Sequence, residues 1–208
     1  LTEQKYPFKH VYTGISKTVK RALPLKAIKR IKELDLTLKP HLDYARDVFL
    51  FSFYTRGMSF IDMAYLKKSD LKNGVIIYRR KKTGQQLTIK WEKCMEDVIA
   101  KYNGCSTTQY LLPIITNPCA DERMQYRNAI SRINVALKEV ARLAGLNMPL
   151  TMHCARHCWA SIAKSKNIPL SVISEGMGHD SEETTRIYLA SLDTNVVDKA
   201  NSLILKDL

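Results

Sequence analysis

The sequence predicts a mainly helical domain carrying one small antiparallel β-sheet, an α+β arrangement. Two observations carry that expectation. Apolar residues recur at helical spacing, most densely in HLDYARDVFLFSFYT (41–55), which reads as a buried helix. In contrast, GVIIYRRKKTGQQLTIKW (74–91) places β-branched residues on both sides of a Thr-Gly turn, as a hairpin does. A length of 208 residues suits one domain with a real core, or one domain plus a short arm.

The elements follow in order. Residues 1–24 include YPFKHVYTGISKTVKRALP, a basic, turn-prone stretch without helical periodicity, expected to be a linker or arm. The domain proper is expected at 25–208. Pro24 and Leu25 open a first helix running through Leu34, and Pro40 precedes the second. After a break at Gly57, a short helical stretch is expected around DMAYLKK (62–68), followed by the hairpin. Helices at 92–102 and 122–144 come next, the latter closed by Gly145 with Pro149 beyond it. CARHCWASIAKSKN (154–167), LSVISEGM (170–177) and TTRIYLAS (184–191) read as three further helices. In the tail, Val196, Val197, Ala200, Leu203 and Ile204 fall on one stripe of an amphipathic helix at about 195–206. No internal repeat is visible.

Charge narrows the partner. Thirty-three Lys and Arg against twenty Asp and Glu leave +13, with a pI near 9.5. That balance points to a polyanion, most commonly nucleic acid, with an anionic membrane surface as the alternative. No apolar run approaches the roughly 18 residues of a membrane span. The polar, basic N-terminus does not read as a signal peptide. Five cysteines, an odd number without a disulfide framework, suit a reducing cytoplasm. His153, Cys154, His157 and Cys158 form a Cys/His cluster. Spaced four apart, the cysteines share one helix face and the histidines the adjacent one, whereas a zinc site needs four groups converging from separate elements. No metal is expected.

The chemistry concentrates in the last third, in TMHCARH (151–157), GMGHD (176–180) and TTRIYLA (184–190). Arg156 offers a planar fork matched to two phosphate oxygens. His153 and His179 can donate hydrogen bonds or move protons near neutral pH. The Tyr188 hydroxyl is a poor nucleophile at its free pKa and needs such surroundings to attack phosphorus. On a basic chain, the set points to an enzyme that cuts a nucleic-acid backbone through a phosphotyrosine.

These motifs resemble the catalytic core of the tyrosine recombinases, the phage-integrase family: HCARH, then MGH, then Tyr188 nine residues after His179. Upstream, FSFYTRGMSFIDMAYLKKSDL (51–71) resembles the family's first-arginine segment and YRRKKTGQQLTI (78–89) its lysine hairpin, so the likeness runs from about Ala22 to the C-terminus. RGMSFIDMAYL itself resembles integrases and invertases of Bacteroides-type bacteria.

The resemblance implies the tyrosine recombinase catalytic-domain fold and a metal-independent, cofactor-free reaction on double-stranded DNA in the cytoplasm. Tyr188 is the implied nucleophile, forming a 3′-phosphotyrosine. Arg156, His153 and His179 would hold the phosphate. Lys82 would be the general acid, with Lys81 as its competitor, and Arg79, Arg80 and Lys81 would contact the DNA backbone. At the first arginine the chain departs from the family: a gap-free match anchored on Asp62 puts Ser59 at that place, with Arg56 three residues earlier. Arg56 is expected to take the role and Asp62 to orient it, with Ser59 the alternative. The family's N-terminal DNA-clamping domain is expected to be absent from this sequence, and the C-terminal helix is expected either to pass to a neighbouring subunit in a tetrameric synapse or to pack on its own domain. The leading expectation is a site-specific integrase or invertase; a type IB topoisomerase and a non-catalytic DNA-binding regulator are the alternatives.

Overall fold

The helix expected at 41–55 becomes the axis of the domain. The computed structural model describes residues 22–105 and 107–190; most of the expected arm and the whole helix expected at 195–206 lie outside them. α2 (Pro40–Tyr54) starts on Pro40, whose missing N–H costs nothing in a first helical turn. From Ala45 to Ser52 every residue is buried, because apolar side chains cover all faces of this stretch. α2 packs against α1 (Leu25–Glu33), α4 (Lys93–Lys101), α5 (Glu122–Leu143) and α6 (Met152–Ser165). Its two buried charges are paired. Arg46 bonds Asp43, Asp47 and the Leu34 carbonyl, and Asp47 also accepts from Lys101 and the Tyr102 hydroxyl.

α2 stops where Thr55 Oγ1 donates to the Phe51 carbonyl at 2.7 Å. Arg56 and Gly57 then both take positive φ, 60° and 75°, and reverse the chain. The next helix sits earlier than the expected stretch around DMAYLKK. Ser59 caps α3 (Phe60–Ala64), which ends before Lys67 because Lys67 leaves to form a β-bridge with Tyr110. Only a single 3₁₀ turn, Lys68–Asp70, follows.

The sheet has three antiparallel strands in the order β1 (Leu71–Lys72), β2 (Val75–Arg79), β3 (Gln86–Lys90). β2 and β3 are the expected hairpin, paired from Val75↔Lys90 to Arg79↔Gln86. β1 was not expected; it is joined to β2 by Asn73-Gly74, both at positive φ, a preferred two-residue hairpin turn. Ile76, Tyr78, Leu87 and Ile89 form the buried face. α7 (Leu170–Met177) and α8 (Glu182–Ala190) pack on α6 and on each other over a small cluster of Ala160, Ala163, Ile173, Met177 and Leu189, separate from the main core. The architecture is thus mainly helical with one small antiparallel sheet.

Candidate active site

Arg156 is the centre of the site. It is buried on α6, and its guanidinium ties two chain reversals together: Nη1 donates to the Gly57 carbonyl at 2.9 Å and Nη2 to the Met177 carbonyl at 2.6 Å. Of five N–H donors, three remain for another acceptor. Gly57 is required by this contact, since a Cβ there would lie 2.6 Å from Arg156 Cα. Burial, reinforced by the nearby Arg80 charge, pushes the Arg156 pKa down to about 10, so the group stays cationic at neutral pH.

His179 and Tyr188 face it from the turn after α7 and from α8. α7 ends on Gly178, left-handed at φ 63°, and the turn sets His179 Nδ1 2.7 Å from the buried Thr185 Oγ1 on α8. Burial, then Arg156 and Arg80, lowers the His179 pKa to about 4, so the free protein holds it neutral. Tyr188 meets His179 edge-on, with ring centroids 5.6 Å apart. Desolvation raises its phenol well above the usual 10, with Arg156 opposing. The nucleophile candidate is therefore protonated at rest. His153, one turn before Arg156, is more open to solvent. Desolvation of its ring, then Arg156 and Lys82, lowers its pKa below 6.5.

The hairpin closes the other side, and its adjacent basic residues part company. Arg79 is exposed and donates to the Gly84 carbonyl at 3.2 Å across the loop. Lys81 swings away, its Nζ 4.7 Å above the Tyr65 ring. Lys82 is exposed, and its charge reaches both His153 and His179. Arg80, expected beside Arg79 and Lys81 as a backbone contact, is 7 % exposed. It turns inward and bonds the Gly178 carbonyl, directly behind His179. A Cβ on Gly178 would lie 2.8 Å from Arg80 Cδ, so hairpin and α7 turn touch at this point.

The first-arginine segment resolves into separate parts. Ser59 Oγ donates to Asp62 Oδ2 at 2.6 Å, which commits the hydroxyl to its own helix start. Asp62 is 4 % exposed and its Oδ1 accepts from the Lys81 N–H at 2.8 Å, fastening α3 to the hairpin. Arg56 is half-buried in the α2–α3 turn and lies near Gly176. Its field reaches Tyr78, whereas that of Arg80 reaches Tyr78, Arg156 and His179.

Arg156 and His179 thus face Tyr188, and the charges of Arg80 and Lys82 reach the same group of residues through Arg156, His153 and His179. The ion pairs of the described residues lie elsewhere, along α2, α4, α5, α8 and the β3–α4 junction. Such a place can hold an anion and stabilise growing negative charge on it. Thr185 was missed, and Arg80 was expected as a DNA-backbone contact and not as a buried neighbour of Arg156. Strand alternation carried the signal for Arg80, which continues the inward parity of Ile76 and Tyr78.

The family model of the phage integrase family matches residues 21–195. A comparison with curated protein sequences returns no match. Among solved structures, the chain is similar to XerA recombinase, with TM-score 0.62 and 19% identity over 89% of this chain and 66% of that one. It is similar to XerH site-specific recombinase bound to a palindromic difH substrate, with TM-score 0.65 and 18% identity over 89% and 53%. A lambda integrase (75–356) dimer bound to a COC′ core site gives TM-score 0.62 and 16% identity over 89% and 64%. The chain therefore spans about half to two thirds of these three recombinases.

Proposed function

The chain belongs to the phage integrase family, and from that premise we propose that it is the catalytic part of a site-specific DNA recombinase, an integrase or invertase, that works through a 3′-phosphotyrosine. One observation carries the reading: Tyr188 lies in the field of Arg156 and against the His179 ring, while Arg156 and His179 lie in the field of Arg80, and His153 and His179 in those of Arg156 and Lys82.

In the proposed reaction the scissile phosphate sits against Arg156, whose remaining donors face the non-bridging oxygens. Arg80 supplies a second guanidinium in the role of the family's first arginine, the role expected of Arg56 from the sequence. The Tyr188 oxygen attacks phosphorus, forming the P–O(Tyr) bond as the P–O5′ bond breaks. Its proton passes to His153, which is neutral at pH 7, and Lys82 gives a proton to the departing 5′ oxygen. His179, neutral and braced by Thr185, donates a hydrogen bond to the phosphorane. Because the phosphotyrosine conserves the bond, a 5′-hydroxyl from a second strand reverses the steps and rejoins DNA. No metal or cofactor is needed for this balance. Double-stranded DNA in the cytoplasm is the substrate. As with the lambda integrase tetramer bound to a Holliday junction, strand exchange would take place in a tetramer, with residues 195–206 joining subunits.

Covalent trapping tests the reading. The full-length protein is mixed with nicked duplexes taken from the flanks of its encoding element and run on a denaturing gel. The expected result is a shifted band lost with Tyr188→Phe, strongly weakened with Arg80→Ala, and retained with Ser59→Ala. The effect of Arg56→Ala relative to Arg80→Ala tells which arginine serves the phosphate. No band on DNA the protein binds would favour a non-catalytic regulator.

A further inference from the structure

His157 has no assigned part in the chemistry above, yet it touches the nucleophile. It follows Arg156 on α6 and is 7 % exposed. Its ring lies flat on the Tyr188 ring, with centroids 4.7 Å apart and planes 12° from parallel. Its edge meets the His153 ring at 4.5 Å and 89°. We propose that His157 is a positioning residue for strand cleavage, a planar platform that fixes the ring of Tyr188 and hence the line along which its oxygen approaches phosphorus. The inference rests on Tyr188 being the nucleophile.

The anchoring of α8 explains why such a platform matters. α8 packs chiefly on α7, over the small cluster that stands apart from the main core. α6, by contrast, is packed on the buried α2 and carries Arg156 and His153. The stack on His157 therefore references the attacking group directly to the helix that holds the phosphate. A phenol ring has two free torsions. Stacking on one face and the edge contact with His179 on another restrict both. In-line attack tolerates little misplacement, and an ångström of error can cost on the order of a hundredfold in rate.

The experiment measures single-turnover adduct formation and duplex affinity for the full-length protein carrying His157→Ala, His157→Gln or His157→Phe. Each is also assayed on a duplex with sulfur replacing the 5′ bridging oxygen, a leaving group that needs no proton. With His157→Ala and His157→Gln, adduct formation should slow by roughly ten- to a hundredfold on both duplexes while affinity holds. With His157→Phe, which keeps the ring plane, the rate should stay within a few-fold of the parent. His157→Gln fills the space without a ring, so the comparison stands even where the alanine variant fails to fold. Parent-like rates in both non-aromatic variants overturn the inference, as does a phenylalanine variant as slow as they are. Restoration by sulfur also overturns it, because the residue would then act on the leaving group. No adduct from the parent itself overturns the Tyr188 reading and this inference with it.

Discussion

Arg156 and Arg80 bring two positive charges into the protein interior, where each lies in the other's field and neither has a carboxylate in ion-pair contact among the described residues. Desolvation and like-charge repulsion make that arrangement costly in the free protein, and a bound phosphate relieves both. Arg156→Lys is expected to lower the cleavage rate by about 10²–10³, since an ammonium cannot hold two backbone carbonyls and two phosphate oxygens at once. Cleavage kinetics under saturating DNA check this. His179 gives the site a pH signature. Its folded pKa near 4 lies below the ordinary 6.5, so as pH falls the unfolded chain takes up the proton first. The stability contributed by neutral His179 is therefore present above about pH 6.5 and lost between 6.5 and about 4, with His153 shifted in the same direction. Denaturant melts of the DNA-free protein should show stability falling through that window, and His179→Asn should make the fall shallower.

At the scale of elements, the site depends on two chain reversals and one hairpin meeting without Cβ atoms between them. Gly57→Ala would place a methyl group 2.6 Å from Arg156 Cα, at a φ of 75° that also strains any side chain. A destabilisation of more than about 1 kcal/mol is expected, together with loss of cleavage, read by thermal melting and adduct formation. Asp62 connects the α3 start to the hairpin through the Lys81 N–H. Asp62→Asn weakens that charge-assisted bond and loosens the loop carrying Lys82, so cleavage should slow and a 5′ bridging sulfur should restore much of it. The hairpin also shows how far the sequence could be read. Alternation across VIIYRR puts Ile76 and Tyr78 on one face, the face the structure buries, and the same parity reaches Arg80. Reading the basic run together as DNA-backbone contacts hid the burial of Arg80, because an arginine is ordinarily exposed unless paired. α7 and α8 were legible in LSVISEGM and TTRIYLAS. The displacement of α3 toward Ser59 was not, because it follows from a long-range bridge between Lys67 and Tyr110. Gly57 was legible as a break but not as a contact, since nothing local announces that α6 will arrive against it.

For the whole molecule, the proposed binding of duplex DNA by a chain of net charge +13 should be largely counterion release. Affinity should fall steeply and linearly on a log–log plot against salt. Arg79→Ala, on the exposed side of the hairpin, should flatten the slope by about one counterion without altering the cleavage rate of bound complexes. Family and architecture were legible because motifs in four separate segments converge on one site and because α2 and the hairpin carry strong periodicities. DNA sequence preference was not, since it depends on groove geometry and on the shape of the duplex. The central claim is that Tyr188 becomes joined to a DNA 3′ end. The most direct measurement is mass spectrometry of the trapped adduct after nuclease and trypsin digestion. A nucleotide carried through its 3′ phosphate on Tyr188, in the peptide that follows Arg186, is the expected result. Modification of a different residue, or a non-covalent complex alone on a duplex the protein binds tightly, would contradict it.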